Sequence, residues 1–155
     1  MLTTAAPGTN SSKTSLKPYV YLAEQIPLAW EALEPFMQRA VAAGRGEITV
    51  EVIYQMLVNQ EALAFVTLEG DKVEAMLVVR LIDYSTYRAA RIIACSGRRL
   101  AEAMQFIDAL EAWALTQGAV EIEAWCRPAM TRLVRRFGWQ PKLAIVSRDL
   151  RRKLQ

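Results

Sequence analysis

From Ala89 onward the apolar pattern switches repeatedly between strand and helix periods, and this alternation narrows the possible folds more than any other feature of the chain. Ala89 to Cys95 is an apolar run of strand length. Arg98 to Gln117 then carries Leu100, Met104, Ile107, Leu110 and Ala114 along one helical stripe. Gly118 sits where a helix end needs a left-handed residue, and Ala119 to Trp125 returns to strand. Pro128 suits the first position of another helix. In that helix Met130, Leu133, Val134 and Phe137 recur at i, i+3, i+4 and i+7 before Gly138 ends it. Leu143 to Val146 reads as a last strand. Strand–helix–strand–helix–strand needs crossover connections, and these join parallel strands with helices laid over the sheet.

The leading half has a different grammar. Val20 to Ala23 makes a short first strand. Residues 28 to 43 form a helix on Leu33, Met37, Ala40 and Val41, with Pro35 near its start and Gly44 and Gly46 at its end. Thr49 is an N-cap, with Glu51 in the first turn, for a second helix through Val52, Ile53, Met56 and Leu57. Ala62 to Leu68 and Val73 to Ile82 are strands joined by the hairpin turn Glu69-Gly70-Asp71. The run Met76 to Val79 predicts burial on both faces. Asp83 to Tyr87 turns the chain back. Antiparallel strands followed by crossover units give an α/β class with a mixed sheet of about five to six strands flanked by about four helices. The expected layout is a flexible arm over residues 1–18, a domain over 19–149 and a basic tail over 150–155. The arm is rich in Thr, Ser, Ala, Gly and Pro, with only Leu2 and Leu16 as large apolar residues.

Composition removes whole classes of chemistry. The chain has no His, so Ser-His-Asp triads, Cys-His pairs and His-ligated zinc are excluded. Its two cysteines, Cys95 and Cys126, suit a reducing compartment and make no ordinary zinc site. No metal site is expected. No apolar run is long enough to cross a membrane. Residues 1–16 lack the apolar core of a secretory signal. Charge is split: residues 1–126 hold 10 Lys and Arg against 15 Asp and Glu, whereas residues 127–155 hold 9 against the single Asp149. A basic end on an acidic body points to an anionic partner, or to a solvated helix face and tail. Arg132, Arg135 and Arg136 share one helical face, followed by Lys142, Arg148, Arg151, Arg152 and Lys153. These are the candidate contacts for a partner or for DNA backbone.

The stretch Trp113-Ala114 to Gly118, Val120 to Trp125, and Arg132-Leu133-Val134-Arg135-Arg136-Phe137-Gly138-Trp139 resembles the helix–strand–helix segment of the GNAT fold, that of the acetyl-CoA-dependent N-acetyltransferases. Architecturally the resemblance spans about residues 19 to 149, with strand, two helices, antiparallel strands and then alternating helix and strand in the same order. Glu47-Ile48-Thr49, Ser96-Gly97, Trp113-Ala114 to Gly118, and Arg127 are similar to features of GNAT-like proteins encoded in bacteriophage structural gene clusters.

The resemblance implies a site at the turn after the strand ending in Cys95. Family members there cradle the cofactor pyrophosphate on backbone N–H groups of a Gly-rich turn. Here the place is held by Ser96-Gly97-Arg98-Arg99-Leu100-Ala101, with one Gly left and Leu100 where a second would stand. Ser96, Gly97, Arg98 and Arg99 are therefore either a degenerate phosphate site or a plain strand-to-helix turn. The family's Tyr general acid maps to Val134, on the apolar stripe, and a nearby Asn maps to Arg127. Tyr84 and Tyr87 are substitutes for the acid, and Asp83, Glu121 and Glu123 are candidates for a base. Each of these also reads as ordinary surface. Cys126 lies where a basic helix start would stabilise a thiolate, or else is a small buried apolar residue. The family's two closing strands, which help form its acceptor site, barely fit after Trp139. The resemblance thus implies a phage-type, non-catalytic virion or assembly component, with acetyl-CoA as cofactor only if the chain is instead a divergent N-acetyltransferase. Expected partners are other virion or assembly proteins and DNA backbone. The expected location is the host cytoplasm and the virion, without secretion.

Overall fold

The computed structural model describes residues 16–103 and 107–154. The backbone divides into two compact units, one ending at Trp125 and the other beginning at Cys126.

In the first unit, β1 (Leu16–Tyr21) opens the sheet, followed by α1 (Ile26–Ala42) and α2 (Val50–Val58). Leu16, Lys17 and Pro18, placed in the arm on composition, belong to β1, paired with Glu69, Leu68 and Thr67. Pro18 is tolerated because β1 is an edge strand, needing only one side's hydrogen bonds. The rest of the predicted arm falls in residues 1–15, outside the described residues. Pro35 lies in the middle of α1 rather than near its start, so the carbonyl four residues earlier loses its usual helical donor. Thr49 caps α2 as its sequence position predicts, its Oγ1 accepting from the Val52 N–H at 3.3 Å.

The centre is an antiparallel meander of β2 (Leu63–Glu69), β3 (Lys72–Asp83) and β4 (Arg88–Gly97). Gly70 takes φ +62° in the tight turn, where Glu69 faces Lys72. α3 (Leu100–Ala103) and α4 (Ile107–Thr116) fall within the span predicted as one helix; Met104 lies between them, outside the described residues. β5 (Glu121–Ala124) then joins β4 in parallel. The result is a five-stranded mixed sheet in the order β1-β2-β3-β4-β5.

Alternation along the strands sends side chains to two layers. Ala64, Val66, Met76 and Val78 pack with Ile26, Leu33, Met37, Ile53 and Leu57 from α1 and α2. On the other face Phe65 meets Trp113 of α4 edge-on, ring centres 5.3 Å apart. β4 carries one extra residue against β3: Val78 faces Ala94 but Val79 faces Ile92, leaving Ile93 as a bulge. β5 pairs with β4 only up to Ile92. From Ile93 onward β4 therefore runs on without β5 beside it.

In the second unit α5 (Pro128–Arg135) is followed by a turn at Gly138, φ +88°. The strand expected at Leu143 to Val146 does not form: residues 139–150 have no regular structure. Four apolar residues without a hydrogen-bonded neighbour cannot sustain a ladder. A short 3-10 turn, Arg151–Leu154, lies in the segment read as a tail.

Candidate functional site

Two places in the first unit gather charged and aromatic side chains, one at each end of β4. The first is the turn after the strand, where Ser96 and Gly97 still pair with Met76 and Ala75 of β3. A Cβ built on Gly97 would lie 2.6 Å from the Ala75 Cβ and 2.9 Å from the Glu74 carbonyl oxygen. The Arg98 N–H donates to that same oxygen at 3.0 Å. Glycine at this position is thus demanded by the close approach of β3.

Arg98 is exposed, whereas Arg99 is clamped. Its Nε donates to Glu102 Oε2 at 2.8 Å and its Nη1 to Glu69 Oε2 at 2.8 Å. Its Nη2 makes a closer contact with Glu102. The hydrogen bond to Glu102, with the charges of Glu102, Glu69 and Glu74 behind it, raises the Arg99 pKa above the usual arginine value. Glu74 is itself nearly buried and lies 3.7 Å from Lys72 Nζ. Two carboxylates, Glu69 and Glu102, bond the one guanidinium and neutralise it, with the negative charge of Glu74 acting from further off. Sequence reasoning missed the carboxylates. Arg99 and Glu102 at i, i+3 were a usable signal, but Glu69 is brought in by the β2–β3 hairpin, thirty residues away.

The second gathering centres on Arg91 of β4, about 20 Å along the strand from Gly97 at about 3.3 Å per residue. The Tyr84 hydroxyl donates to Glu123 Oε1 at 2.7 Å, with Oε2 at 3.0 Å. Arg91 bonds to both: its Nη2 donates to Tyr84 Oη at 3.1 Å and its Nε to Glu123 Oε1 at 3.3 Å. The Glu123 side chain is only 13% exposed. The Arg91 guanidinium also sits over the Trp125 ring, 4.8 Å from its centre. Tyr87 stacks on Tyr84 at 4.8 Å. The hydrogen bond to Glu123 pushes the Tyr84 pKa above its ordinary value, and the bond from Arg91 opposes the shift. Asp83 pairs with Arg88, Oδ1 to Nε at 2.6 Å, which holds its carboxyl below the ordinary aspartate value. Of the predicted acid–base candidates, Tyr84 and Glu123 are brought into contact, Tyr87 and Asp83 sit in the same turn, and Glu121 lies two residues back on β5. Arg91 and Trp125 were not foreseen, though Arg91 faces Glu123 directly across the β4–β5 pair.

A cavity of about 40 Å3 lies between the sheet and α4, lined by Phe65, Thr67, Ala75, Leu77, Ile107 and Leu110. It is lined mostly by apolar side chains and is far smaller than the about 300 Å3 of a small-molecule site.

In the second unit, Arg132 and Arg135 project from the last turns of α5, where cations complement the helix dipole, and Arg136 follows at its C-cap. All three are exposed, as are Arg148, Arg152 and Lys153. Arg151 is held by Asp149, Nε to Oδ1 at 3.0 Å and Nη2 to Oδ2 at 2.5 Å. Val134 is half-buried rather than part of a core. Cys126 is exposed, not a buried apolar residue, and partial desolvation of its thiol raises the pKa. That is the opposite of the stabilised thiolate expected from the basic helix start. Among the described residues no group of His, Cys, Asp and Glu could hold a metal ion, and no helix is long and apolar enough to cross a membrane.

An antiparallel meander, a bulged β4 and a parallel β5 reached through a helix define a mixed α/β acetyltransferase-like architecture. Solved structures match it over most of their length. An aminoglycoside acetyltransferase from an uncultured soil metagenomic sample, in complex with sisomicin, superposes with a TM-score of 0.64 at 14% identity, covering 89% of this chain and 98% of that one. A predicted acetyltransferase from Clostridium acetobutylicum with acetyl-CoA gives 0.64 at 15% identity, covering 87% and 96%. Glucosamine-6-phosphate N-acetyltransferase from Arabidopsis thaliana gives 0.58 at 13% identity, covering 86% and 97%. The chain has the GNAT fold. No family model and no curated protein matches the sequence.

Proposed function

We propose that this GNAT-fold chain is a non-catalytic binding component of an assembly, the bacteriophage virion setting implied by its sequence resemblance, and that its acyl-CoA site is degenerate. One observation carries the second half: of the two arginines placed to meet a pyrophosphate, Arg99 is already bonded to Glu69 and Glu102, which leaves the exposed Arg98 alone. An incoming polyphosphate would have to displace two carboxylates and lie beside their charge, with Glu74 behind them. Gly97 adds no cradle, because the space a Cβ would need is filled by Ala75. The residues present do not fit the cofactor. The assembly half rests on the second unit, whose exposed cations at Arg132, Arg135, Arg136, Arg148, Arg152 and Lys153 suit acidic partner proteins or DNA backbone. Its setting would be the reducing host cytoplasm and the particle built there.

The second reading, a divergent acyl-CoA-dependent N-acetyltransferase, is favoured by the contact of a phenol and a carboxylate at Tyr84 and Glu123. Thermal unfolding with and without acetyl-CoA separates the two. Binding at 100 times Kd would add about 2.7 kcal/mol, a rise of about 5–10 °C for a chain this size. We expect no rise at millimolar ligand. A rise of that order, abolished in Arg98→Ala/Arg99→Ala, would establish the second reading instead. DNA-backbone contact predicts a steep fall of affinity with salt, and a flat slope would leave protein partners.

A further inference from the structure

Three strands of the sheet set charged residues in one row. Arg80 of β3 faces Arg91 of β4, and Arg91 faces Glu123 of β5. The row lies on the α1 and α2 side of the sheet, because Val78, two residues before Arg80, belongs to that core. Like charges directly opposed on one face disfavour an antiparallel pair. Arg91 is compensated: it bonds to Glu123 and to Tyr84 and sits over the Trp125 ring. Arg80 is not. It is half-buried, and its Nε is shielded from solvent without a hydrogen-bond partner among the described residues.

A buried donor without a partner is costly, and a charged one more so. The row holds two cations against one carboxylate, so one positive charge is left over at Arg80. Glu121, the next acid on β5, faces Ala89 rather than an arginine and has an interaction of its own. Beside Arg91 stand aromatic rings open to solvent: Trp125 is 64% exposed and Tyr84 is 37% exposed. A guanidinium fork next to a flat apolar wall matches a planar organic acid, whose two carboxylate oxygens fit the fork.

We infer that Arg80, with Arg91 beside it, binds the carboxylate of a small organic acid whose flat apolar body lies against Tyr84 and Trp125. A monoanion neutralises the row and gives the orphaned donor a partner. Glu123 limits the affinity, because its charge competes with the ligand for Arg91. The site is about 20 Å along β4 from the turn at Gly97, and it holds whether or not the chain binds acyl-CoA.

Benzoate titrated into the full chain at constant ionic strength, without acyl-CoA, tests it; its neutral isostere benzamide and inorganic phosphate are the controls. The readouts are the proton–nitrogen NMR signals of the Arg80 Nε–H, assigned by its loss in Arg80→Met, and of the Trp125 indole N–H. Benzoate should move both signals to saturation, and benzamide should move neither. Arg80→Met should weaken benzoate at the Trp125 signal about tenfold or more. It should leave the fold as stable as before or more so, since it removes an unpaired charge. Arg80→Lys keeps the charge and loses the fork; it should also weaken binding, and it carries the test if Arg80→Met does not fold. Glu123→Gln should tighten binding about twofold or more, by removing the competing charge. An Arg80 signal indifferent to benzoate overturns the inference. So does an equal response to phosphate, which would mark an indiscriminate cationic patch. Benzoate affinity unchanged in both Arg80 variants would place the ligand elsewhere and overturn it equally.

Discussion

The two units carry similar amphipathic patterns and meet opposite fates. In residues 16–125 the helical stripe of α1 ends as a core: Ile26, Leu33 and Met37 are fully buried against Ile53, Leu57 and the sheet. In residues 126–154 an equally clear stripe, Met130, Leu133 and Val134, is only half-buried, and Phe137, Leu143, Ile145 and Val146 are exposed. Periodicity names the face that would be buried. Whether it is buried depends on a second apolar surface being present to receive it. The first unit supplies that surface as a sheet with two covered faces; within the second there is one short helix and a segment without a ladder.

The largest effect should come from cutting each region at one leucine. Leu57→Ala, at 1% exposure, removes side chain from the buried core and should cost about 2–5 kcal/mol. Leu154→Ala, at 85% exposure, should stay within about 0.5 kcal/mol. Urea unfolding of the two variants reads the contrast directly, and equal losses would break it.

Gly97→Ala comes next. Its Cβ would sit 2.6 Å from the Ala75 Cβ, an overpacking that should cost about 1–3 kcal/mol. Ala75→Gly in the same chain should recover little of the loss, because the position 75 Cα at 2.7 Å and the Glu74 carbonyl oxygen at 2.9 Å still obstruct the added Cβ. Full recovery would mean that the β3 backbone is not what excludes a side chain at position 97.

Thr49→Ala should cost about 1 kcal/mol by stripping the N-cap from α2. This cap, with the Glu69-Gly70-Asp71 turn, belongs to what local sequence can specify, since cap and turn geometry are set within four residues. The same holds for Gly118, whose φ of +80° matches its predicted place after a helix. β1 was harder to read: Leu16 to Pro18 look like a linker by composition and become strand only because β2 lies beside them. Leu143 to Val146 failed in the reverse direction, with strand propensity but no neighbour. The candidate site was legible in part. Ser96 to Arg99 could be placed by likeness to a turn, but the carboxylates that neutralise Arg99 arrive through the β2–β3 hairpin and the following helix, and no spacing rule shows that Glu69 will be there. Tyr84 and Glu123 were each visible, yet 39 residues separate them, and only the register of β5 on β4 puts them in contact.

The smallest expected effect is also the most specific. Tyr84 has its pKa raised above 10.0, first by the hydrogen bond to Glu123 and against the pull of Arg91. A tyrosine with a raised pKa in the folded state stabilises the fold below its ordinary pKa and loses that contribution as pH climbs through the raised value. The consequence lies wholly on the alkaline side, above pH 10. Glu123→Gln removes the carboxylate charge and the strongest acceptor while leaving partial desolvation and Arg91 at the phenol, so the Tyr84 pKa should fall toward its ordinary value. Ultraviolet difference titration of the wild type, Glu123→Gln and Tyr84→Phe isolates that one phenol by subtraction. If the Tyr84 component does not move in Glu123→Gln, the two ends of β4 differ less than the geometry says. The phenol–carboxylate pair then has no more claim to chemistry than the neutralised cluster around Arg99.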